Sequence, residues 1–233
     1  MYIYGKNASK EALEKEKIKN IYIYENIKND NIVTKIINNF MEAPIHYKTK
    51  KQLDSMVKGN HQGIVVEIED YDYVNLDDII KEDVIILLDH LEDPHNFGAI
   101  IRTAEAAGIK SIIIPKDRSV KVNSTVTKVS VGTVLNVNIA MVNNLVNTMK
   151  QLKQNGYWII GTDMHGTDFK KIDYSGKIVI VIGNEGKGMS RLVKESCDFI
   201  ASIPMYGTVN SLNASVAAGI IIFEAVKKWI MKI

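Results

Sequence analysis

The sequence predicts an α/β protein in which a parallel sheet covered by helices forms the larger, C-terminal part. From residue 83 onward, short apolar segments alternate with segments of helical spacing. The apolar segments have the length of strands and are bounded by Gly or Pro, which is typical of strands buried on both faces of a parallel sheet. The first 70 residues alternate in the same way over shorter segments, which indicates a second, smaller αβ domain.

The larger part is predicted to span residues 83–233 and to contain six strands and five helices. The predicted strands are Val84–Leu88, Ser111–Pro115, Asn136–Met141, Tyr157–Gly161, Ile178–Ile182 and Phe199–Ile203. The predicted helices are Gly98–Ala107, Ser124–Val131, Asn144–Gln154, Ser190–Cys197 and Ser211–Trp229. Such an alternation of strands and helices calls for helices on both faces of the sheet.

The smaller domain is predicted to span residues 1–70 in the order α-β-α-β-α-β. Ser9 is a capping residue before a run of good helix formers, and each later element is short. The later elements are Ile21–Tyr24, Ile32–Phe40, Pro44–Tyr47, Lys50–Val57 and Gly63–Ile68. Residues 71–82 follow as a linker, because this region is acidic and aromatic without a clear period, with a short helix near Leu76–Lys81.

Composition excludes several classes of protein. The net charge is only +2, so the overall charge by itself requires neither nucleic acid nor a membrane as a partner. Cys197 is the single cysteine, which rules out an internal disulfide and a thiolate metal cluster, and the five His lack metal-ligand spacing. No apolar stretch approaches the ~18 residues that span a bilayer, and the N-terminus lacks a signal-peptide core. We therefore expect a soluble, cytoplasmic protein without a metal.

The first candidate site follows the strand Val84–Leu88. A polar loop, Asp93–Asn96, precedes a helix predicted to start at Gly98, and free N–H groups at such a start favour anions. Arg102 lies one turn into this helix, where its guanidinium can bind a phosphate as a fork. Alternatively, Asn96 only caps the helix and Arg102 pairs with a carboxylate.

Two further loops follow the last two predicted strands. Gly183–Gly188 is neither a P-loop, since Met189 follows it, nor a dinucleotide fingerprint, since its glycine spacing differs. Ile203–Asn213 leads into the last helix, which Asn210 or Ser211 is expected to cap. Ligands of open α/β sheets bind outside the carboxyl ends of the strands, so these loops are predicted to form two walls of one pocket. Alternatively, Gly183–Gly188 is an ordinary glycine-rich turn.

The joint order of these motifs resembles the SpoU (TrmH-like) branch of the SPOUT RNA methyltransferases. The match consists of Asn96 with Arg102, then Gly183-Asn-Glu-Gly-x-Gly, then Ile203-Pro-Met with Asn210-Ser-Leu-Asn213, and it extends over residues 83–233. Tyr4–Asn7 and His61–Gly63 are similar to the substrate-binding domain fused to many members. The full layout is most similar to the bacterial 23S rRNA guanosine 2′-O-ribose methyltransferases.

The resemblance implies a fold, a reaction and partners. The fold would contain a deep trefoil knot, a rare exception among proteins. The reaction would be S-adenosylmethionine-dependent 2′-O-ribose methylation of RNA by a homodimer, with a guanosine of 23S rRNA as the target. The implied catalytic residues are Asn96, Arg102, Glu185, Ser211 and Asn213. The implied cofactor-binding residues are Thr162, Gly183, Gly186, Ile203 and Leu212. The implied RNA-binding residues are Arg102, Arg118 and Lys121.

Within this scheme, Arg102 is expected to orient the target phosphate and stabilise negative charge on the reacting oxygen, because a guanidinium does not deprotonate in proteins. Glu185 is expected to pair with Arg102. Three alternatives stay open. One is a tRNA 2′-O-ribose methyltransferase, and another is a non-catalytic RNA-binding or ribosome-assembly protein. The third, a dinucleotide-dependent oxidoreductase, has the fold class but lacks the fingerprint.

Overall fold

The computed structural model describes residues 1–15, 18–27, 30–39 and 43–230, which form two compact units. Unit 1 contains Met1–Asp72 and Val122–Asn136, and unit 2 contains Tyr73–Lys121 and the chain from Val137 onward. The sequence assigns residues 122–136 to the C-terminal part, whereas the structure groups them with unit 1. Residues 73–82, predicted as linker, belong to unit 2, where Val74 forms a β-bridge with Ala140.

Unit 1 is built on a four-stranded mixed sheet with strand order β1-β4-β2-β3. Its elements are β1 Tyr2–Tyr4, α1 Lys6–Lys15, β2 Ile18–Tyr24, α2 Asn31–Asn39, β3 Ile45–Lys48, α3 Lys50–Met56 and β4 Ile64–Ile68. Strand β3 runs parallel to β2, while β4 is antiparallel to β1 and β2. The predicted order omitted β1, and Phe40 of the predicted second helix lies outside the described residues.

The two faces of the unit 1 sheet follow the two-residue period of its strands. Ile21 and Ile23 of β2 are fully buried in a cluster that includes Leu13 of α1 and Val33 of α2. On the opposite face, Tyr4 and the neighbouring strand residues pack against α3. The sheet is therefore covered on both faces, which explains how so short a domain buries its apolar residues.

The remaining elements are α4 Leu76–Ile79, β5 Val84–Leu88, α5 Pro94–Ala106, β6 Ser111–Pro115, α6 Ser124–Val129, β7 Asn138–Val142, α7 Leu145–Gln154, β8 Trp158–Asp168, β9 Ile178–Ile182, α8 Arg191–Glu195, β10 Phe199–Ser202 and α9 Ala214–Ile230. All except α6 lie in unit 2. Its sheet has the order β10-β8-β9-β5-β6-β7, and every pair of neighbours is parallel. The predicted parallel α/β class is confirmed.

Every residue of β5, β6 and β9 is buried, as the uninterrupted apolar runs predict. Strands β5 and β9 are neighbours, but the chain leaves β5 toward β6 on one side and leaves β9 toward β10 on the other. This reversal is a topological switch point, at which the loops diverge and open a crevice. The loops after β5 and β9 are those that carry the first two sequence motifs.

Strand β8 contains an arch at its carboxyl half. Gly161 pairs with Ile200 of β10, but the next pair joins Thr167 to Ala201, so residues 162–166 leave the ladder. Gly166 lies so close to β10 that a Cβ there would be 2.5 Å from the carbonyl oxygen of Ile200. The arch is thus pressed against β10 and carries Thr162 toward the switch point.

Three helices begin several residues from their predicted starts. Helix α1 begins at Lys6, so Ser9 lies within the helix and is not its cap. Helix α5 begins at Pro94, because Asp93 caps it by accepting a hydrogen bond from the His95 N–H, rather than at Gly98. Helix α9 begins at Ala214 rather than Ser211. Among the residues that the structure describes, no helix is both long enough and apolar enough to cross a membrane.

Candidate functional site

A cavity of about 270 Å³ lies at the carboxyl ends of β8, β9 and β10. Three segments enclose it: the arch of β8, the glycine-rich loop after β9, and the chain from the end of β10 into α9. These are the two walls predicted from the sequence, with the arch as a third. All five predicted cofactor-binding residues line the cavity: Thr162, Gly183, Gly186, Ile203 and Leu212.

The glycine-rich loop is a closed turn. The N–H of Asn184 donates to the Gly188 carbonyl, and the Gly188 N–H donates to the Asn184 carbonyl, both at 2.9 Å. A Cβ at Gly183 would lie 2.4 Å from the Gly188 carbonyl carbon and 2.5 Å from the Met189 nitrogen. Position 183 therefore requires glycine, because the chain passes directly across it. This close crossing distinguishes the loop from an ordinary exposed glycine-rich turn.

The same loop is tied to the loop after β5. The side-chain amide of Asn184 donates to the His90 carbonyl at 2.7 Å, and its oxygen accepts from the Gly186 N–H at 3.0 Å. Because the bond to His90 joins the glycine-rich loop to the loop after β5, it fixes one wall of the cavity to the switch point of the sheet.

The cavity has an apolar lining with polar edges. Ile203 and Leu212 face it together with Ile221 of α9, and Thr162 donates its hydroxyl proton to the Val181 carbonyl at 2.9 Å. Small residues, among them Ala201, Ala214 and Ala217, complete the wall. Sequence reasoning did not name Asp163 and Met164 of the arch, which also line the cavity. Met205 and Asn210 belong to the predicted third motif and line the cavity as well, although no cofactor role was predicted for them.

Asp163 supplies a fixed negative charge at the cavity edge. Its carboxylate lies 2.9 Å from the Lys194 ammonium. Burial is the largest single influence and raises the pKa of Asp163, but the hydrogen bonds from Lys194 and the His165 N–H, together with the charges of Lys194 and His165, outweigh it and hold that pKa below its ordinary value. Asp163 is therefore ionised near neutral pH.

A chain of polar side chains connects the three motifs beside the cavity. Asn213 donates from Nδ2 to Oδ1 of Asn96 at 2.9 Å, and Asn96 donates from Nδ2 to Oε1 of Glu185 at 3.2 Å. Asn96 is only 6% exposed, so both of its hydrogen bonds matter for satisfying buried polar atoms. The structure thus brings together three of the five predicted catalytic residues, and Ser211 lines the adjacent cavity.

Several local expectations were wrong. Asn96 does not cap α5, because Asp93 does, and α9 is capped by Asn213, whose Oδ1 accepts from the Ser215 and Val216 N–H groups at 2.9 and 3.3 Å. The predicted pairing of Glu185 with Arg102 is absent from the described residues. Glu185 instead accepts from Asn96 and from two backbone N–H groups of the loop after β5, those of Glu92 and Asp93.

The three predicted RNA-binding residues, Arg102, Arg118 and Lys121, are exposed and do not line the cavity. Within the described part of the chain, Arg102 has no hydrogen bond or ion pair. Its guanidinium is therefore available to an anion from outside.

Two further features bear on possible chemistry, the thiol of Cys197 and the grouping of potential metal ligands. Burial raises the pKa of the Cys197 thiol to about 12, and its Sγ donates to the Val193 carbonyl at 3.3 Å. Cys197 is a packing residue, because its thiol stays protonated near neutral pH. In the described ranges, no three His, Cys, Asp or Glu side chains are grouped so as to hold a metal ion.

The polar chain leads to a stability prediction. In Asn96→Asp, a carboxylate replaces the amide that donates to Glu185, so we expect the free energy of unfolding to fall by about 1–3 kcal/mol at pH 8. The repulsion raises the folded-state pKa of the new carboxyl group, and its protonated form can donate to Glu185. The loss should therefore be smaller at pH 5 and grow as pH rises through that pKa.

Urea unfolding at both pH values measures this effect. Asn144→Asp is the matched control, because Asn144 caps α7 through an accepting oxygen that Asp retains. Equal stability of Asn96→Asp and the native protein at pH 8 would show that the Asn96 amide proton is not needed.

The comparisons with known proteins match both parts of the chain. Residues 83–223 match the SpoU rRNA Methylase family, and residues 2–74 match a domain described as RNA 2′-O ribose methyltransferase substrate binding. YacO of Bacillus subtilis (strain 168), assigned by name to the TrmH family of tRNA/rRNA methyltransferases, is 42% identical, covering 97% of this chain and 95% of its own. A Staphylococcus saprophyticus protein assigned to the same family is 43% identical over the same shares.

Solved structures agree with this assignment. The AdoMet-bound rRNA methyltransferase of Sinorhizobium meliloti is 27% identical with a TM-score of 0.80, covering 97% of this chain and 86% of its own. The SpoU methyltransferase AviRb of Streptomyces viridochromogenes in complex with AdoMet shares the fold, with a TM-score of 0.83, 24% identity and coverage of 98% and 90%. The A. aeolicus TrmH/SpoU tRNA modifying enzyme is 33% identical with a TM-score of 0.59, covering 67% and 83%. The chain belongs to the SpoU (TrmH-like) family of S-adenosylmethionine-dependent RNA methyltransferases.

Proposed function

We propose that the protein methylates a ribose 2′-hydroxyl of RNA, and that its target is a guanosine of 23S rRNA. The observation that carries the reaction is the hydrogen-bonded chain from Asn213 through Asn96 to Glu185, which lies beside a cavity of about 270 Å³. The match of residues 2–74 to a 2′-O ribose methyltransferase substrate-binding domain supports the ribose as the acceptor.

The cavity residues fit the cofactor by type. Ile203 and Leu212 form an apolar slot for an adenine ring, while the lack of a side chain at Gly183 and Gly186 lets the ring edge approach the backbone. Thr162 closes the end of the slot. When bound, S-adenosylmethionine supplies an electrophilic methyl group on a sulfonium. The ionised carboxylate of Asp163 at the cavity edge complements a positively charged ligand.

The protein's own residues then position the acceptor. Arg102 binds the phosphate next to the target ribose and stabilises the negative charge that develops on the reacting 2′ oxygen of that ribose. Asn96, Ser211 and Asn213 orient the hydroxyl and the cofactor, and Glu185 anchors the Asn96 amide. Positioning should account for much of the rate, because it converts a bimolecular methyl transfer into a reaction between fixed partners.

One observation favours rRNA over tRNA. The neighbour named as an rRNA methyltransferase matches 97% of the chain, whereas the one named as a tRNA modifying enzyme matches 67%. We assign the N-terminal unit to substrate binding, with residues 1–70 as its core, and residues 83–233 to the catalytic domain. An rRNA substrate in turn places the protein in the cytoplasm.

We further propose that two copies form a homodimer through α9. Val216, Ile220 and Phe223 are 51%, 37% and 53% exposed, and their spacing puts them on one side of the helix. An apolar stripe of this kind is typical of an interaction site.

The trefoil knot implied by the family is also part of the proposal. Pulling the unfolded chain from both ends should leave a contour shorter than that of an unknotted chain.

The methylation site can be mapped in rRNA and tRNA from cells with and without the protein. We expect a 2′-O-methyl mark in 23S rRNA that disappears with the gene and returns with the native protein. Arg102→Ala should restore less than about a hundredth of the activity, within the range for loss of one transition-state contact, yet bind S-adenosylmethionine normally. Lys110→Ala, which removes another exposed cation of unit 2, is the control.

A lost mark in tRNA instead would replace rRNA by the tRNA alternative. Absence of S-adenosylmethionine binding in calorimetry would leave a non-catalytic RNA-binding protein. Normal turnover by Arg102→Ala would remove Arg102 from the mechanism.

The homodimer is tested by sedimentation velocity. Phe223→Lys introduces a charge into the apolar stripe of α9, so we expect the variant to sediment as a monomer at concentrations where the native protein is a dimer. Tyr47→Lys makes the same change at a residue that is 52% exposed in unit 1 and should stay dimeric. A dimeric Phe223→Lys would place the interface elsewhere.

A further inference from the structure

A second, larger groove lies on the other side of the glycine-rich loop. It measures about 620 Å³ and is formed by the loops after β5, β6, β7 and β9. Asn184, Lys187 and Gly188 line both this groove and the cofactor cavity. The two spaces are therefore separated by a single turn of backbone. Of the predicted RNA-binding residues, Arg118 lines the larger space, but the path of the RNA strand has not been assigned above.

The groove has an excess of positive charge. Arg118, Lys187 and Arg191 line it, and all three are exposed. Arg191 pairs with Glu195 at 2.9 Å, a surface pair of the kind that contributes little and exchanges readily. Within the described residues, Arg118 and Lys187 have no hydrogen bond or ion pair through their side chains.

The two acidic residues of the groove leave this excess in place. Asp89 is 1% exposed and already engaged, with Oδ1 2.6 Å from Nδ1 of His90 and Oδ2 accepting from the Ser190 N–H at 2.5 Å. Glu92 is exposed and also lines the groove. Because Asp89 is shielded by its partners, Glu92 is the exposed acid that a ligand in the groove meets, against three exposed cations.

The backbone of the groove is held in a costly conformation. Arg118 and His90 have φ values of 51° and 56°, in the left-handed region that non-glycine residues rarely adopt. The turn around Arg118 is fixed by its neighbours, since the Ser119 hydroxyl and the Val120 N–H both donate to the Leu91 carbonyl, at 3.2 and 2.8 Å. Strain that the surroundings enforce is concentrated at functional sites, and here two such residues line one groove.

We propose that this groove binds the phosphodiester backbone of the RNA strand directly beside the nucleotide that is methylated. Arg118 binds one phosphate as a fork, and Lys187 binds the adjacent phosphate from the shared turn. Asn143 offers a further donor to phosphate or sugar oxygens. This inference rests on the proposed function and gives the RNA strand a path past the cofactor, which positions the ribose without reading a base.

The test uses the full chain and measures RNA binding, salt dependence, cofactor binding and turnover. The variants are Arg118→Gln, Lys187→Gln and the double variant, with Lys150→Gln as the control, an exposed lysine of α7 outside the groove. The binding probe is a fluorescent single-stranded RNA of mixed sequence about 20 nucleotides long, titrated in fluorescence anisotropy at several KCl concentrations. Inorganic phosphate serves as a competitor.

We expect each single variant to weaken RNA binding about three- to tenfold and the double variant more than tenfold. Each lost phosphate contact should lower the slope of log affinity against log salt by about 0.7. KM for RNA should rise with little change in kcat, and calorimetry should show unchanged S-adenosylmethionine affinity. Lys150→Gln should match the native protein, and inorganic phosphate should compete only weakly, since it spans one contact.

The inference is overturned if the double variant keeps the native RNA affinity, salt slope and KM while the native protein methylates RNA. Strong competition by inorganic phosphate would identify a single-anion site instead of an RNA path and would overturn it as well. Absence of methyl transfer by the native protein is a different result, because it contradicts the proposed function.

Discussion

The site depends on one steric constraint, the crossing of the chain over Gly183. The turn from Asn184 to Gly188 closes on itself through two backbone hydrogen bonds, and it passes so near to Gly183 that no Cβ can be accommodated. This closure converts a flexible glycine-rich segment into a rigid partition. The cavity that we propose for the cofactor lies on one side of the partition, and the cationic groove lies on the other.

The parallel sheet explains why distant motifs converge on this partition. Strands β5 and β9 are adjacent and fully buried, so the loops that follow them leave the sheet at the same edge. Asn184 then bonds to the loop after β5, and Glu185 accepts from its backbone. Helix α9 adds its capping residue, Asn213, to the same network. The network joins segments that are about a hundred residues apart without any metal or covalent link.

The accuracy of each prediction from the sequence depended on the physical pattern on which it was based. Strands β5, β6 and β9 have the predicted bounds, because a run of apolar residues buried on both faces has no competing interpretation. The cavity residues followed from a motif resemblance and the rule for carboxyl ends of strands. Strand β1 was missed because three residues carry no period, and the arch in β8 was missed because it depends on contact with β10.

The polar contacts were the least predictable part. The predicted Arg102–Glu185 pair follows from charge alone, but two backbone N–H groups and Asn96 already satisfy the Glu185 carboxylate. Helix caps were misplaced by up to three residues because Asp93 and Asn213 compete with nearby polar residues of equal capping ability. The grouping of residues 122–136 with unit 1 likewise depends on tertiary packing, such as the close approach of Gly132 to Glu11.

The central claim is that the closed turn at Gly183 creates the cofactor site. Calorimetric titration of Gly183→Ala with S-adenosylmethionine tests it most directly, with Gly207→Ala as the control, since a Cβ at Gly207 meets nothing within 4 Å. The account predicts more than about a tenfold loss of affinity in Gly183→Ala, or more than about 1.4 kcal/mol, and none in Gly207→Ala. Native affinity in a folded Gly183→Ala protein would contradict it.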